Sequence, residues 1–341
     1  MRRRLVLLAL LLGVGRCALA TEALLVYSYD SFASWGPAVQ IEQRFEELYD
    51  VDLQFLAPSD SREMLARLIS EKDAGLPTAD VFIGVEAADL PRLRTLDLFD
   101  PLTKAMVPTL AAVPEALLVD PELRLVPYEH GYVTLVYDSD AVSEDILPRT
   151  FEQLLDPALR QSLILEDPRI SSPGLSFLLW TIHRFGDPGY LDYWRLLLPN
   201  VLTIVGGWSE AYNLFLAGEA PIVVSFSTDT AYSVITGGGT RYRVLLLDNQ
   251  GYRNVYLAGV VRGTAHPMLA RALLDLLLSL EIQETIPTTE WMFPARADAL
   301  LPIPFYQHAV TPPSPVRLSS DLIGAHLDRW LAEWARLIVG G

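Results

Sequence analysis

The chain has 341 residues, 51% of them hydrophobic and 20% charged, with 24 Pro and 21 Gly that follow no repeat, a composition that excludes disorder, collagen and coiled coil. A net charge of −16, from 26 Lys and Arg against 42 Asp and Glu, leaves no basic face to neutralise phosphates and excludes nucleic acid as a partner. At roughly 100 to 200 residues per domain the length accommodates two, with a cleft between them as the natural site.

Residues 1–20 have a basic start (Arg2, Arg3, Arg4), an apolar run over 5–12 and a small-x-small ending, Ala18-Leu19-Ala20. That is the pattern of a signal peptide, with the mature chain starting at Thr21. The run falls short of the roughly 18 apolar residues that a membrane span needs, and no later stretch supplies them. Cleavage would remove four arginines and no acid, lowering the net charge from −16 to −20, together with Cys17, the only cysteine. Arg16 sets a bulky cation where lipoprotein processing needs a small residue. The sequence therefore predicts a free protein in a Gram-negative type of periplasm, with neither disulfide nor thiol chemistry.

Along the mature chain, 24–29 reads as a strand, 37–49 as a helix from the spacing of Ile41, Phe45 and Leu48, and 51–56 as a second strand. A helix with Met64, Leu65, Leu68 and Ile69 on one face follows, then a strand from Asp80 ending at Gly84. This alternation predicts an α/β fold with a parallel sheet covered on both faces and ligands beyond the carboxyl ends of its strands. Further strands are expected over 132–137, 163–166, 202–205 and 221–226, and no period of about 20 to 50 residues recurs. Residues 319–339 form an amphipathic helix after a Ser cap, with Trp330 and Trp334 as core anchors.

Several chemistries have no motif. The five histidines are never three or four residues apart, so no compact metal site is expected. No nucleophile elbow, dinucleotide fingerprint or P-loop occurs, and Gly237-Gly238-Gly239 reads as a turn. Glu129 and His130, adjacent on an extended segment, point to opposite faces and read as structural.

Aromatics instead sit beside small polar residues at strand ends and helix starts: 27–37 (YSYDSFASWGP), 58–62 around Asp60, 167–174 (DPRISSPG), 206–212 (GGWSEAY), 225–232 (SFSTDTAY) and 286–294 (IPTTEWMFP). Ring faces with a carboxylate among them suit an organic cation, whereas an anion would need more basic residues than these segments hold. Each residue also has a structural reading. Asp60 with Glu63 three residues on can be an N-cap, Ser171 and Ser172 can start a helix, and Trp208, Tyr232 and Trp291 can be packing residues.

At these segments the sequence resembles the periplasmic thiamine-binding proteins of ABC importers, a branch of the type II solute-binding proteins. The match spans about 24 to 294, with YSYDSFASWGP, DPRISSPGL, GWSEAY and IP-x-x-x-WM-x-P in order. The resemblance implies two α/β lobes joined by a hinge and closing over thiamine or a thiamine phosphate, with no catalysis and no cofactor. Lobe 1 would comprise 21–130 and about 254–316, lobe 2 residues 131–253, and the chain would work as a monomer that docks on an inner-membrane permease. By the same resemblance Tyr29, Asp60, Ser171, Ser172, Trp208, Tyr232 and Trp291 contact the ligand. Phe226, where relatives carry a tyrosine, and Asp229, where they carry a small neutral residue, depart from the pattern. An acid at 229 would repel a phosphate and favours free thiamine.

Ferric-ion and polyamine carriers share this fold, but the chain has no Tyr-Tyr pair for iron. A polyamine fits acids and aromatics better. Thiaminase I also shares the fold, but its cysteine nucleophile has no counterpart after position 17.

Overall fold

The computed structural model describes residues 22–76 and 78–340; the expected signal peptide lies outside them. The chain opens with β1 (Ala23–Tyr27), α1 (Asp30–Ser34), α2 (Ala38–Tyr49), β2 (Asp52–Leu56), α3 (Ser61–Asp73), β3 (Val81–Glu86), α4 (Leu90–Leu96) and the long β4 (Val126–Asp138). It continues through β5 (Leu163–Glu166), α5 (Ser172–Phe185), α6 (Gly189–Leu197), β6 (Val201–Val205), α7 (Trp208–Leu216), β7 (Ile222–Phe226), α8 (Asp229–Ile235), β8 (Tyr242–Leu245) and β9 (Tyr252–Val260). The last elements are α9 (Pro267–Leu277), α10 (Leu280–Gln283), α11 (Ile286–Thr289), β10 (Phe293–Pro294), α12 (Ile303–His308) and α13 (Ser320–Gly340).

Local sequence explains most of these boundaries. α2 buries Ile41 and Phe45 at helical spacing and stops at Asp50 in the left-handed region (φ 54°). α3 starts where the Asp60 side chain accepts from Ser61 N–H and buries Met64, Leu65, Leu68 and Ile69. β3 runs two residues past Gly84, which sits at φ 115° where the pairing with β9 slips. Only glycine tolerates that conformation with the Tyr29 ring 2.5 Å from where its Cβ would be.

The strands are hydrogen-bonded in the order β2-β1-β3-β9-β4-β7-β5-β6, with β8 and β10 also pairing β4. β1 is parallel to β2 and β3, and β5 is parallel to β6 and β7. The expected all-parallel sheet is corrected here, because β4 and β9 are antiparallel to each other, β9 to β3, and β4 to β7. A strand returning beside its neighbour needs no helical crossover, so β4 and β9 can run straight through the middle.

These two strands join two cores. One is built from residues 24–128 and 255–295, the other from 133–252 with the end of the chain, and on the far face of the second half a smaller cluster around Ile164, Tyr212 and Phe215 carries Trp208 and Tyr232. β4 contributes Val126 and Tyr128 to the first and Val133, Leu135 and Tyr137 to the second; β9 contributes Tyr252 to the second and Val255 onward to the first. α13 lies across both, with Gly324 against Pro91 of α4 and Trp334 edge-on to Trp194 of α6 at 5.6 Å.

Candidate functional site

The carboxyl ends of β1, β2 and β3 face those of β5, β6 and β7, and the loops leaving them bring the aromatic and acidic side chains together. Asp60 follows β2, and its Oδ1 accepts from Ser61 N–H at 2.7 Å and Ser61 Oγ at 3.2 Å. Opposite it, from the other core, Gly207 and Trp208 begin α7; a Cβ on Gly207 would lie 3.1 Å from Asp60 Oδ2. Burial, reinforced by Asp30, pushes Asp60 up to about 6 in spite of donors from Ser61 and the Trp208 amide.

Trp208 is partly buried, and its Nε1–H donates to Ser225 Oγ at 2.9 Å. Its ring stacks on Tyr212 at 4.9 Å and meets Trp35, an exposed residue just after α1, nearly at a right angle at 5.7 Å. Tyr212 contacts Tyr232 at 5.6 Å, and Tyr232 crosses to Trp291 at 4.6 Å. Trp291 holds φ 57°, a left-handed conformation that costs a bulky residue about 1 to 3 kcal/mol and recurs at binding sites. Its neighbour Glu290 reaches back to the Tyr29 hydroxyl at 2.8 Å. Five of the seven residues named from sequence, Tyr29, Asp60, Trp208, Tyr232 and Trp291, thus lie on one circuit that twice crosses between the cores.

The serines sit beside it, at the start of α5. Ser172 Oγ is 2.6 Å from Tyr256 Oη and accepts from Asn254 Nδ2 at 3.2 Å. The same amide donates to Glu86 Oε2 at 3.2 Å, so Ser172 belongs to a buried knot between β3, α5 and β9. Glu86, pushed up by burial, lies near the buried Arg62–Asp89 pair, whose N···O distance is 2.7 Å. Ser171 Oγ is inaccessible and has no partner. Tyr29 itself is buried, its ring 5.7 Å from Phe32 and 6.4 Å from Tyr256.

Sequence reasoning missed the acids. Glu166, ending β5, is 1% exposed with neither carboxyl oxygen partnered; burial, then the nearby Asp60 and Asp229 carboxyls, push it well up. Asp229 is buried with Oδ2 unpartnered and is pushed up to about 7 by loss of water. Glu129, read as structural, turns toward Tyr29 and Glu290, while His130 on the opposite face stacks on Phe293 at 5.5 Å. Only Asp229 carried a signal in the sequence, as a departure from the family pattern. Among the described residues no three His, Cys, Asp or Glu side chains converge as a metal site. A surface cavity of about 840 Å³, lined by Leu191, Arg195, Leu198 and Leu337, shares no residue with the circuit. No helix among the described residues is long and apolar enough to cross a membrane.

Residues 77–313 match the family of bacterial extracellular solute-binding proteins. The chain is 33% identical over 325 residues to the thiamine-binding periplasmic protein of Brucella melitensis, covering 95% of this chain and 94% of that one. It is 31% identical over 320 residues to the protein of that name from Escherichia coli K12, covering 94% of each. A solved periplasmic thiamin binding protein superposes with a TM-score of 0.84 at 30% identity, covering 93% of this chain and 96% of that one.

Proposed function

The chain belongs to the bacterial extracellular solute-binding proteins, and from that premise we propose that it captures thiamine in the periplasm and hands it to an inner-membrane ABC permease. The observation that carries this reading is the circuit of rings and carboxyls drawn from two cores, Asp60 against Trp208 and Tyr232 against Trp291. Thiamine pairs a permanently charged thiazolium with a flat aminopyrimidine. Aromatic faces attract the first through their quadrupole and stack on the second, and acids add full charge. Tyr29, Asp60, Trp208, Tyr232 and Trp291 are the residues assigned to the rings, and Ser171 and Ser172 to the hydroxyethyl end. Asp229, buried and raised to about 7, is charged above neutrality and would repel a phosphate, so free thiamine is the ligand and its phosphate esters bind more weakly.

In this reading residues 21–130 with about 254–316 close against 131–253 by bending of β4 and β9. Closure follows binding because the closed form makes more contacts with the ligand. The chain is exported through the signal peptide at 1–20 and acts as a monomer without a cofactor. The relatives and the absence of a cysteine beyond Cys17 support binding without cleavage.

Native mass spectrometry of the purified mature protein should find one bound thiamine, and calorimetry should rank thiamine above thiamine diphosphate and spermidine. The acid surplus also suits a polyamine, so displacement of thiamine by spermidine at comparable concentration would transfer the assignment. Tighter binding of the diphosphate would remove the phosphate argument alone.

A further inference from the structure

Resting on the reading of a cationic ligand, we infer that its positive charge is met by the Glu129–Glu290 pair rather than by Asp60, and that the pair gives up one proton as the cation arrives.

One hydroxyl ties the pair together. Tyr29 Oη lies 2.9 Å from Tyr128 Oη, 3.2 Å from Glu129 Oε1 and 2.8 Å from Glu290 Oε2. A phenol donates one hydrogen bond and accepts two. Its single proton can serve only one of the two carboxylates fully, and all three contacts are satisfied when Tyr128 and one glutamic acid that carries its own proton donate to it. The pair therefore holds one proton between two carboxyls and keeps one negative charge. Among the described residues neither acid is in an ion pair with Lys, Arg or His. Each has an inaccessible oxygen without a partner, Glu129 Oε2 and Glu290 Oε1, and Glu129 is 1% exposed.

The surroundings are acidic or neutral on every side. Tyr29 and Asp30 approach from the start of α1, Tyr128 from β4 and Tyr256 from β9. His130 is turned away on the other face of β4, beside Phe293. Burial, then mutual repulsion, raises Glu129; burial, with Asp30, raises Glu290. An organic cation replacing the proton leaves the total charge of this enclosed group unchanged, which avoids the cost of adding charge to a low-dielectric site.

Asp60 is less free to serve. Its Oδ1 is committed to Ser61, and its Oδ2 lies across Gly207. Glu166, which shares no hydrogen bond with another acid, can remain neutral with its own proton, whereas the pair cannot be neutral with one. Tyr29, whose hydroxyl bonds both acids, is itself a ring of the circuit, so a cation on the pair would lie beside it.

The test uses the mature protein and its E290Q, E129Q and E166Q variants. Infrared spectra of the unliganded protein should show the carbonyl stretch of a protonated carboxylic acid that weakens in E290Q and E129Q. A spectrum unchanged in both overturns the shared proton, whatever the ligand does. Thiamine titrated calorimetrically in buffers of different ionisation enthalpy should release about one proton per ligand, so affinity rises about tenfold per pH unit below neutrality. E290Q and E129Q should abolish the release and flatten that dependence, and E166Q should retain both. No release from the wild type, or release lost in E166Q and kept in E290Q, overturns the assignment. Absence of any thiamine binding would sink the function proposed above, while the infrared comparison would still decide the state of the pair.

Discussion

Trp208 is where several constraints meet: its indole N–H is held by Ser225, one face by Tyr212, and Trp35 from the opposite half crosses it nearly at a right angle. A ring fixed on so many sides offers a pre-oriented face, and a desolvated cation–π contact is worth about 2 kcal/mol. Trp208→Ala should weaken thiamine binding roughly thirtyfold by calorimetry, and Trp208→Phe, which keeps a face, should lose less. Gly207 acts differently, by what it lacks. A methyl there would stand 3.1 Å from Asp60 Oδ2 and oppose the approach of the two cores. Gly207→Ala should lower affinity while leaving the melting temperature of the unliganded protein nearly unchanged; a large fall in stability would show that this contact holds the fold rather than its closure.

At the scale of elements, α13 joins parts that the sheet alone would leave separate. Its Trp330 donates Nε1–H to Asp187 at 3.0 Å, and Trp334, 1% exposed, packs edge-on against Trp194. Trp334→Ala should cost about 3 to 5 kcal/mol, read from urea denaturation, because the cavity lies among large rings that cannot collapse into it. The stripe that makes this helix is periodic and was plain in the sequence, as were α2, α3 and the strands that start the chain. The antiparallel course of β4 and β9 was not. It pairs Glu129 with Tyr256, and such distant partners leave no local pattern. The site divides in the same way. Aromatics beside small polar residues announced Trp208, Tyr232 and Trp291, but a glutamate bound for the interior, such as Glu166, reads in a sequence like any surface acid. Its nature emerges only once Asp60 and Asp229 are brought near it.

Over the whole molecule the acid surplus has a consequence for stability. Asp60 and Asp229 are raised to about 6 and about 7, chiefly by burial, from an ordinary value of 3.8. The fold therefore binds their protons more tightly than the unfolded chain does. Stability is fullest below the ordinary value and is lost as pH rises through about 4 to about 7. The unliganded protein should melt higher at about pH 5 than at about pH 8, and Asp229→Asn should narrow the gap; equal melting temperatures would contradict burial of these acids. The two aromatic contacts between cores, Trp35 with Trp208 and Tyr232 with Trp291, have an optical counterpart. If the halves part, the partly buried indoles of Trp208 and Trp291 gain water and their emission shifts to the red; when they meet again around a guest, it returns to the blue. The protein thus carries its own dye, and uptake of the vitamin can be followed by ultraviolet fluorescence without attaching a label.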